Sequence, residues 1–292
     1  MAGDAKFDLS VVVLIWNSRR FIPDCFRSFA RAVQGFPIEF VVVDNGSTDD
    51  GLQLLWETIP QAQVIRNTFN RGVAAARNQG LAAARGRYLC LLDVDTCFLE
   101  GDVRALVQFM DQNPQVGLAG CRLVHADGSA QLSYRKFPTV QSKICRCLPG
   151  HYLDHWRAEE YYSPVASASI QEVDYVIGAF QLIRRETFES IGYLDDSIFY
   201  GPEDADYCLR VWSGGWKVVY YPYISILHHE QRITRRRLGS PITWKHLAGL
   251  AHYFRKHGYW FSREKLYCRK IPFRQSAPKK NARWKPEAAP QL

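Results

Sequence analysis

The sequence predicts an α/β fold, a mostly parallel sheet flanked by helices, followed by a basic C-terminal helical tail. Three observations predict it. Short β-branched runs alternate with helix-spaced segments, the order that builds a parallel sheet through right-handed crossovers. Those runs end on polar residues, where sheets of this kind place their ligands. Charge divides the chain: residues 231–292 hold 16 Lys and Arg against 2 Asp and Glu, whereas residues 1–230 hold 21 against 27. We therefore read residues 1–230 as the globular domain and 231–292 as a basic extension with a disordered end.

The elements follow in order. Leu9 to Ile15 is a continuous apolar run suited to a buried parallel strand, and it stops at Trp16-Asn17-Ser18. Phe21 to Val33 has helical spacing. Glu39 to Val43 is a second strand, closed by turn and capping chemistry from Asp44 to Asp49. A helix through Leu52, Leu55 and Trp56, a short strand at Val64-Ile65 and an alanine-rich helix from Val73 to Ala84 lead to the strand Tyr88–Leu92. That strand runs into Asp93-Val94-Asp95. Residues 121–172 are broken by Gly128, Pro138, Pro149 and Pro164 and read as loops and short strands. Order returns over Val173–Arg184, in a helix over Glu186–Ile191, in a helix over Glu203–Ser213, and in a strand over Trp216–Tyr221.

Composition excludes several classes. With 47% hydrophobic and 13% aromatic residues the chain can bury a full core. No apolar stretch reaches the ~18 residues of a membrane-spanning helix, and MAGDAKFDLS lacks the pattern of a signal peptide. The eight cysteines are scattered and read as reduced thiols; the pair Cys145 and Cys147 lacks partner ligands at zinc spacing. The expected location is cytoplasmic, at most peripheral to the inner face of the membrane.

The chemistry lies in carboxylates. Asp93 and Asp95 follow an apolar strand and repel one another, a cost that a cation removes. Oxygen ligands and a diphosphate partner suit Mg2+ or Mn2+. Asp44 at the end of the second strand can accept the imide N–H of uracil or thymine, although, taken alone, an ordinary turn and helix cap is the stronger reading. Glu203, Asp204 and Asp206 are three acids in four positions, more than a helix start needs. One facing the donor can serve as general base. His228 or His229 can add a nitrogen ligand.

These motifs, in this order, resemble family 2 glycosyltransferases of the GT-A fold, a Rossmann-like sheet flanked by helices. The likeness is strongest to bacterial rhamnosyltransferase-like members that build lipid-linked polysaccharides. It covers residues 9–230 and rests on WN after the first strand, VVVDNGSTDDG, NRGVAAARNQGLAAARGRYLCLLDVDT, GAFQLIRRETFESIGYLDD, FYGPEDADYCLRVWSGGWKVVYYP and HHE. The resemblance implies an inverting transferase using a dTDP- or UDP-sugar and a glycan or polyprenyl-diphosphate-linked acceptor. It implies that Asp44 and Asn45, with Trp16-Asn17, line the nucleotide pocket and that Arg77 and Asn78 flank the donor. Asp93 and Asp95 would bind diphosphate and metal, Asp95 the more directly, and His228 would complete that site, with His229 an alternative. Gly178-Ala179 would lie beside the transferred sugar or the acceptor, and Asp204 would be the base beside Glu203. Gly201-Pro202 departs from the family's usual aromatic or aliphatic residues before the acidic pair.

In the tail, Trp244, Leu247, Ala248, Ala251 and Phe254 share one helical face, with Lys245, His252, Arg255 and Lys256 away from it. Such a helix suits an anionic membrane surface; packing on the body or against a second copy of the chain is the alternative. No nucleic-acid motif accompanies the charge. Competing activities are a nucleotidyltransferase, for which WNSRRFIPD lacks a glycine-rich phosphate loop, and an inactive sugar-nucleotide-binding or glycan-binding module.

Overall fold

The structure is a computed structural model that describes residues 7–147, 162, 169–230 and 240–271. Its first half alternates as the sequence predicts: β1 (Leu9–Ile15), α1 (Ile22–Ala32), β2 (Ile38–Asp44), α2 (Gly51–Thr58), β3 (Gln63–Arg66), α3 (Val73–Ala83) and β4 (Tyr88–Asp93). β1 lies parallel between β2 and β4, and β3 continues the sheet beyond β2. The register sets Ile15 opposite Asp44 and Leu14 opposite Asp93. Both acids therefore leave the sheet within one residue of the same level.

Beyond Asp93 the topology becomes mixed. β5 (Thr96–Glu100), α4 (Val103–Gln112), β6 (Val116–Val124), β7 (Ala130–Gln131), β8 (Tyr134–Arg135) and α5 (Val140–Cys147) come first. β9 (Gln171–Glu172), β10 (Tyr175–Val176), β11 (Phe180–Arg184), α6 (Arg185–Ile191), α7 (Glu203–Ser213) and β12 (Lys217–His228) follow. The main sheet has the order β3-β2-β1-β4-β11-β6-β12-β5, and β8 and β10 form a separate pair. β11 is antiparallel to both neighbours. The ordered segment Val173–Arg184 holds two strands, separated where Ile177 to Ala179 pass beside Asp93. β12 outruns its expected end at Tyr221: its register shifts between Tyr221 and Ser225, and it continues until His228 pairs with Thr96.

The sheet buries both faces. Leu9, Val11, Val13 and Ile15 of β1 join a core with Phe26 and Phe29 of α1 and with Leu106 and Met110 of α4. Val12 faces the opposite core, shared with Ala74 and Leu81 of α3 and Tyr207 and Trp212 of α7. α3 approaches closely because Gly80 carries no side chain; a Cβ there would lie 2.4 Å from Val12 Cγ1.

Two C-terminal helices, α8 (Pro241–His257) and α9 (Arg263–Lys270), belong to that second core. Leu250, Tyr253, Phe254, Tyr259, Leu266 and Ile271 are buried in it. Each fully buried apolar side chain contributes about 1.5–3 kcal/mol before entropy is charged, so the change of charge at residue 230 is not a packing boundary. The predicted apolar face of α8 is divided in the structure, with Phe254 set apart from the other four residues. Trp244 (66% exposed) and Leu247 (47%) face solvent, as do Ala248 and Ala251. Of the five residues assigned to that face, Phe254 alone is buried, beside Gly249, Leu250, Tyr253 and His257. The sequence pattern misses this face because a glycine and a histidine occupy two of its positions. The Arg235–Arg237 run and the Pro- and Lys-rich end lie outside the described residues. No helix of the described residues is long and apolar enough to cross a membrane.

Candidate active site

The carboxyl edge of the sheet carries two groups of residues. At the first, Asn17 adopts a left-handed backbone with φ of 49°. Its Oδ1 accepts from the Thr48 N–H at 2.8 Å, and its own N–H donates to Ser47 Oγ at 3.0 Å. Ser47 N–H donates to Asp44 Oδ1 at 2.9 Å. The turns after β1 and β2 are thereby joined around Asp44, which is 2% exposed, while Trp16 beside them is 45% exposed. The guanidinium of Arg66 lies 3.9 Å from Asp44 Oδ2.

Asn45 occupies the same turn, with its amide directed into the fold. It accepts from Asn67 Nδ2 and from the Arg71 N–H, and donates to Asn70 Oδ1 and the Gly72 carbonyl. Asn67 and Gln79 complete this amide network. Asn45 thus fixes the loop from Asn67 to Gly72. Asn78 has a comparable part on α3: its amide both donates to and accepts from the backbone of Leu194, each at 2.9 Å.

At the second group, one oxygen or nitrogen from each of Asp93, Asp95 and His228 lies within 4.8 Å of the others. His228 Nε2 is 3.6 Å from Asp95 Oδ1, and His228 Nδ1 is 2.9 Å from Gln131 Oε1. An Nδ1–H given to Gln131 leaves the Nε2 lone pair to face a cation held together with the two carboxylates. His229 does not join the cluster; its ring packs on Phe21 at 5.4 Å, and its N–H bonds the Asp95 carbonyl. Two carboxylates and an imidazole nitrogen suit a divalent cation such as Mg2+ or Mn2+. Gln131 escapes the sequence reading because it comes from β7, a two-residue strand with no local signal.

Arg77 joins this cluster to the acidic pair. Its buried guanidinium donates through Nη2 to Asp93 Oδ1 at 2.5 Å and to the Gly178 carbonyl at 2.8 Å. Its Nη1 lies 4.0 Å from Glu203 Oε1, and neither Nη1 nor Glu203 Oε2 has a hydrogen-bond partner among the described residues. A Cβ on Gly178 would come within 2.9 Å of Arg77 Nη1, so this passage admits only glycine without movement. Ala179 is fully buried, and its carbonyl accepts from the Asp93 N–H at 3.0 Å.

Asp204 opens α7. Its oxygens accept from the Ala205 N–H at 2.7 Å and the Gly178 N–H at 3.3 Å. Burial pushes its carboxyl above the usual range, although these N–H groups, Arg135 and Lys143 act against it. Burial raises Glu203 as well, reinforced by the neighbouring Asp204 charge and opposed by Arg77. A carboxylate made more basic in this way is better suited to take a proton near neutral pH. The structure thus brings together Arg77, Asp93, Asp95, Gly178, Glu203, Asp204 and His228, and sets Trp16, Asn17 and Asp44 along the same edge.

A family model described as glycosyl transferase family 2 matches residues 10–192. The chain is 24% identical over 238 residues, 77% of each chain, to an N-acetylglucosaminyl-diphospho-decaprenol L-rhamnosyltransferase of Mycobacterium tuberculosis. It is 29% identical to an uncharacterised glycosyltransferase of Haemophilus influenzae over 40% of each chain. Among solved structures, Staphylococcus aureus TarS 1–349 in complex with UDP-GlcNAc superposes with a TM-score of 0.55 at 19% identity, over 80% of this chain and 62% of that one. The Pyrobaculum calidifontis mannosyltransferase PcManGT, in complex with GDP-Man and Mn2+, superposes with a TM-score of 0.53 at 18% identity, over 85% of this chain and 70% of that one. These neighbours share the curled, mostly parallel sheet of the GT-A fold. The chain belongs to glycosyltransferase family 2.

Proposed function

We propose that this glycosyltransferase moves a sugar, rhamnose by preference, from a dTDP- or UDP-linked donor to a hydroxyl of a lipid-linked glycan, with inversion. The observation that carries the reading is Arg77, which contacts the Asp93 carboxylate on one side and faces the Glu203–Asp204 pair on the other. It couples a place for a departing diphosphate to a place for a base. The choice of rhamnose and of a polyprenyl-diphosphate-linked acceptor rests on the mycobacterial relative's activity.

In this account Asp44 receives the imide N–H of the base, and the turns at Trp16-Asn17 and Ser47 hold the nucleoside. Asp93, Asp95 and His228 would hold Mg2+ or Mn2+, which when bound neutralises charge on the leaving diphosphate. Arg77 keeps Asp93 oriented and adds positive charge nearby. Asp204 takes the proton of the acceptor hydroxyl as its oxygen bonds to the anomeric carbon. The bond from that carbon to the diphosphate breaks on the opposite face, which inverts its configuration. Gly178 brings its backbone close to the transferred sugar because it has no side chain to intervene.

The exposed Trp244 and Leu247, with Lys245 nearby, would rest on the anionic inner face of the cytoplasmic membrane, where such an acceptor presents its glycan. The test is a panel of nucleotide sugars incubated with a short-chain polyprenyl-diphosphate-linked glycan and Mg2+ or Mn2+, with the product's anomeric configuration read by NMR. Transfer from one donor with inversion is expected. Donor binding without transfer or hydrolysis under any condition would move the inactive binding module to the front.

A further inference from the structure

α7 directs its acids to two sides. Glu203 and Asp204 turn to the site, whereas Asp206 is fully buried on the other side, against α8. There it meets His257 Nε2 at 2.8 Å, Lys256 Nζ at 2.7 Å and Arg210 Nε at 2.9 Å. Lys270 Nζ of α9 lies 3.3 Å from His257 Nδ1; with that nitrogen as acceptor, Nε2–H donates to Asp206. Lys256 also binds Asp195 at 2.6 Å, and His252 binds the same carboxylate at 2.9 Å.

The other end of α8 meets the loop that leads into the acidic pair. His246 Nδ1 lies 3.1 Å from the Gly201 carbonyl and 3.2 Å from that of Tyr200. Gly249 is pressed on the same loop, and a Cβ there would come within 2.9 Å of the Gly201 carbonyl oxygen. One helix thus grips the chain two residues before Glu203 and again two residues after Asp204.

We infer that α8 is a clamp that sets the position of the Glu203–Asp204 pair, with Asp206 and Gly249 as its positioning residues. The inference builds on the proposed role of Asp204. Asp206 is not itself placed at the reacting atoms, and its buried charge persists because all three partners converge on it. A displacement of about 1 Å at a catalytic group can cost on the order of 100-fold in rate. Helix α8, beyond the residues that the family model matches, is on this reading part of the catalytic apparatus.

The decisive variant is Gly249→Ala in the full chain. Alanine favours a helix interior over glycine, but its Cβ would press on the Gly201 carbonyl oxygen, so a purely structural role predicts a shift in thermal stability with normal turnover of the folded protein. The clamp predicts a folded protein with donor KM unchanged and kcat for transfer lowered by about tenfold or more. His257→Gln, whose amide can still donate to Asp206, should retain more activity than His257→Ala. Wild-type kcat in folded Gly249→Ala, or a loss confined to donor KM, overturns the clamp. If Asp204→Asn is inactive while Gly249→Ala is normal, the clamp alone fails. If the wild type uses no nucleotide sugar, the transferase reading fails and the clamp with it.

Discussion

The two halves of the sheet are built on different principles. From β1 to β4, each strand is joined to the next in sequence by one helix, and the residues at the edge follow their own strand directly. From β5 to α9, the edge is assembled from distant parts: Gly178 before β11, Asp204 on α7, His228 at the end of β12 and Gln131 from β7. The first half needs only local pattern to place Asp44 and Asp93. The second needs a long bulged strand and a C-terminal helix before its residues meet. Arg77 connects them, reaching from α3 to Asp93 and to the Gly178 carbonyl.

That contrast can be tested by damaging each half in turn. The largest effect is expected in the second: Asp204→Asn should lower kcat by about 10²–10⁴-fold, measured by product formation with saturating donor. Near-normal turnover would remove Asp204 as the base. At the joint, Arg77→Met leaves Asp93 without its partner and exposes Glu203 to Asp204 unopposed. Asp93 is 34% exposed, so losing this charge-assisted hydrogen bond should cost about 1.5–3 kcal/mol, to be read from urea unfolding. A loss below 1 kcal/mol would mean that the halves are not joined there.

In the first half, Asn45→Ala removes both ends of the amide network. We expect a stability loss of about 1–3 kcal/mol and a raised donor KM with kcat little changed. A fall in kcat alone would place Asn45 in the chemistry instead of the loop's support.

Acid stability sharpens the comparison further. Burial would raise the Asp206 carboxyl, but the His257 hydrogen bond, Arg210 and Lys256 prevail and hold it well below the usual range. Asp195 is likewise held at about 2, its burial outweighed by Lys256 and His252. A carboxyl with a depressed folded pKa stabilises the fold above its unfolded value and loses that contribution as pH falls through the folded one. Stability should therefore drop below about pH 4. Asp206→Asn should be less stable at neutral pH and show a flatter acid limb in unfolding measured from pH 5 downward. Parallel curves for the two proteins would contradict the network. The smallest effect belongs to Trp244→Ala, which should change stability by less than about 0.5 kcal/mol while weakening sedimentation with anionic vesicles.

Legibility in the sequence follows the same division. The runs ending at Ile15, Asp44 and Asp93 were readable because each buried parallel strand is continuously apolar and its polar terminus marks the ligand edge. The Glu203–Ser213 helix and the excess of acid at its start were readable too, but the separate use of Asp206 was not, since two of its three partners, Lys256 and His257, lie on a distant helix. His228 and His229 are equivalent in one dimension; only the pairing of His228 with Thr96 separates them. The buried face of α8 was hidden because Gly249 and His257 break its apolar pattern. The α4–β6 unit lies outside the elements named from sequence, although Leu106 and Met110 are buried at helical spacing.

The most direct measurement separates binding from turnover at the two ends of the Arg77 bridge. Donor affinity with and without Mn2+ would be measured calorimetrically for the wild type, Asp95→Ala and Asp204→Asn, beside transfer rates for each. The account predicts that Asp95→Ala loses the metal-dependent part of donor affinity, whereas Asp204→Asn keeps it and loses turnover. Metal-dependent affinity that survives Asp95→Ala, or turnover that survives Asp204→Asn, would contradict the division of labour proposed for this site.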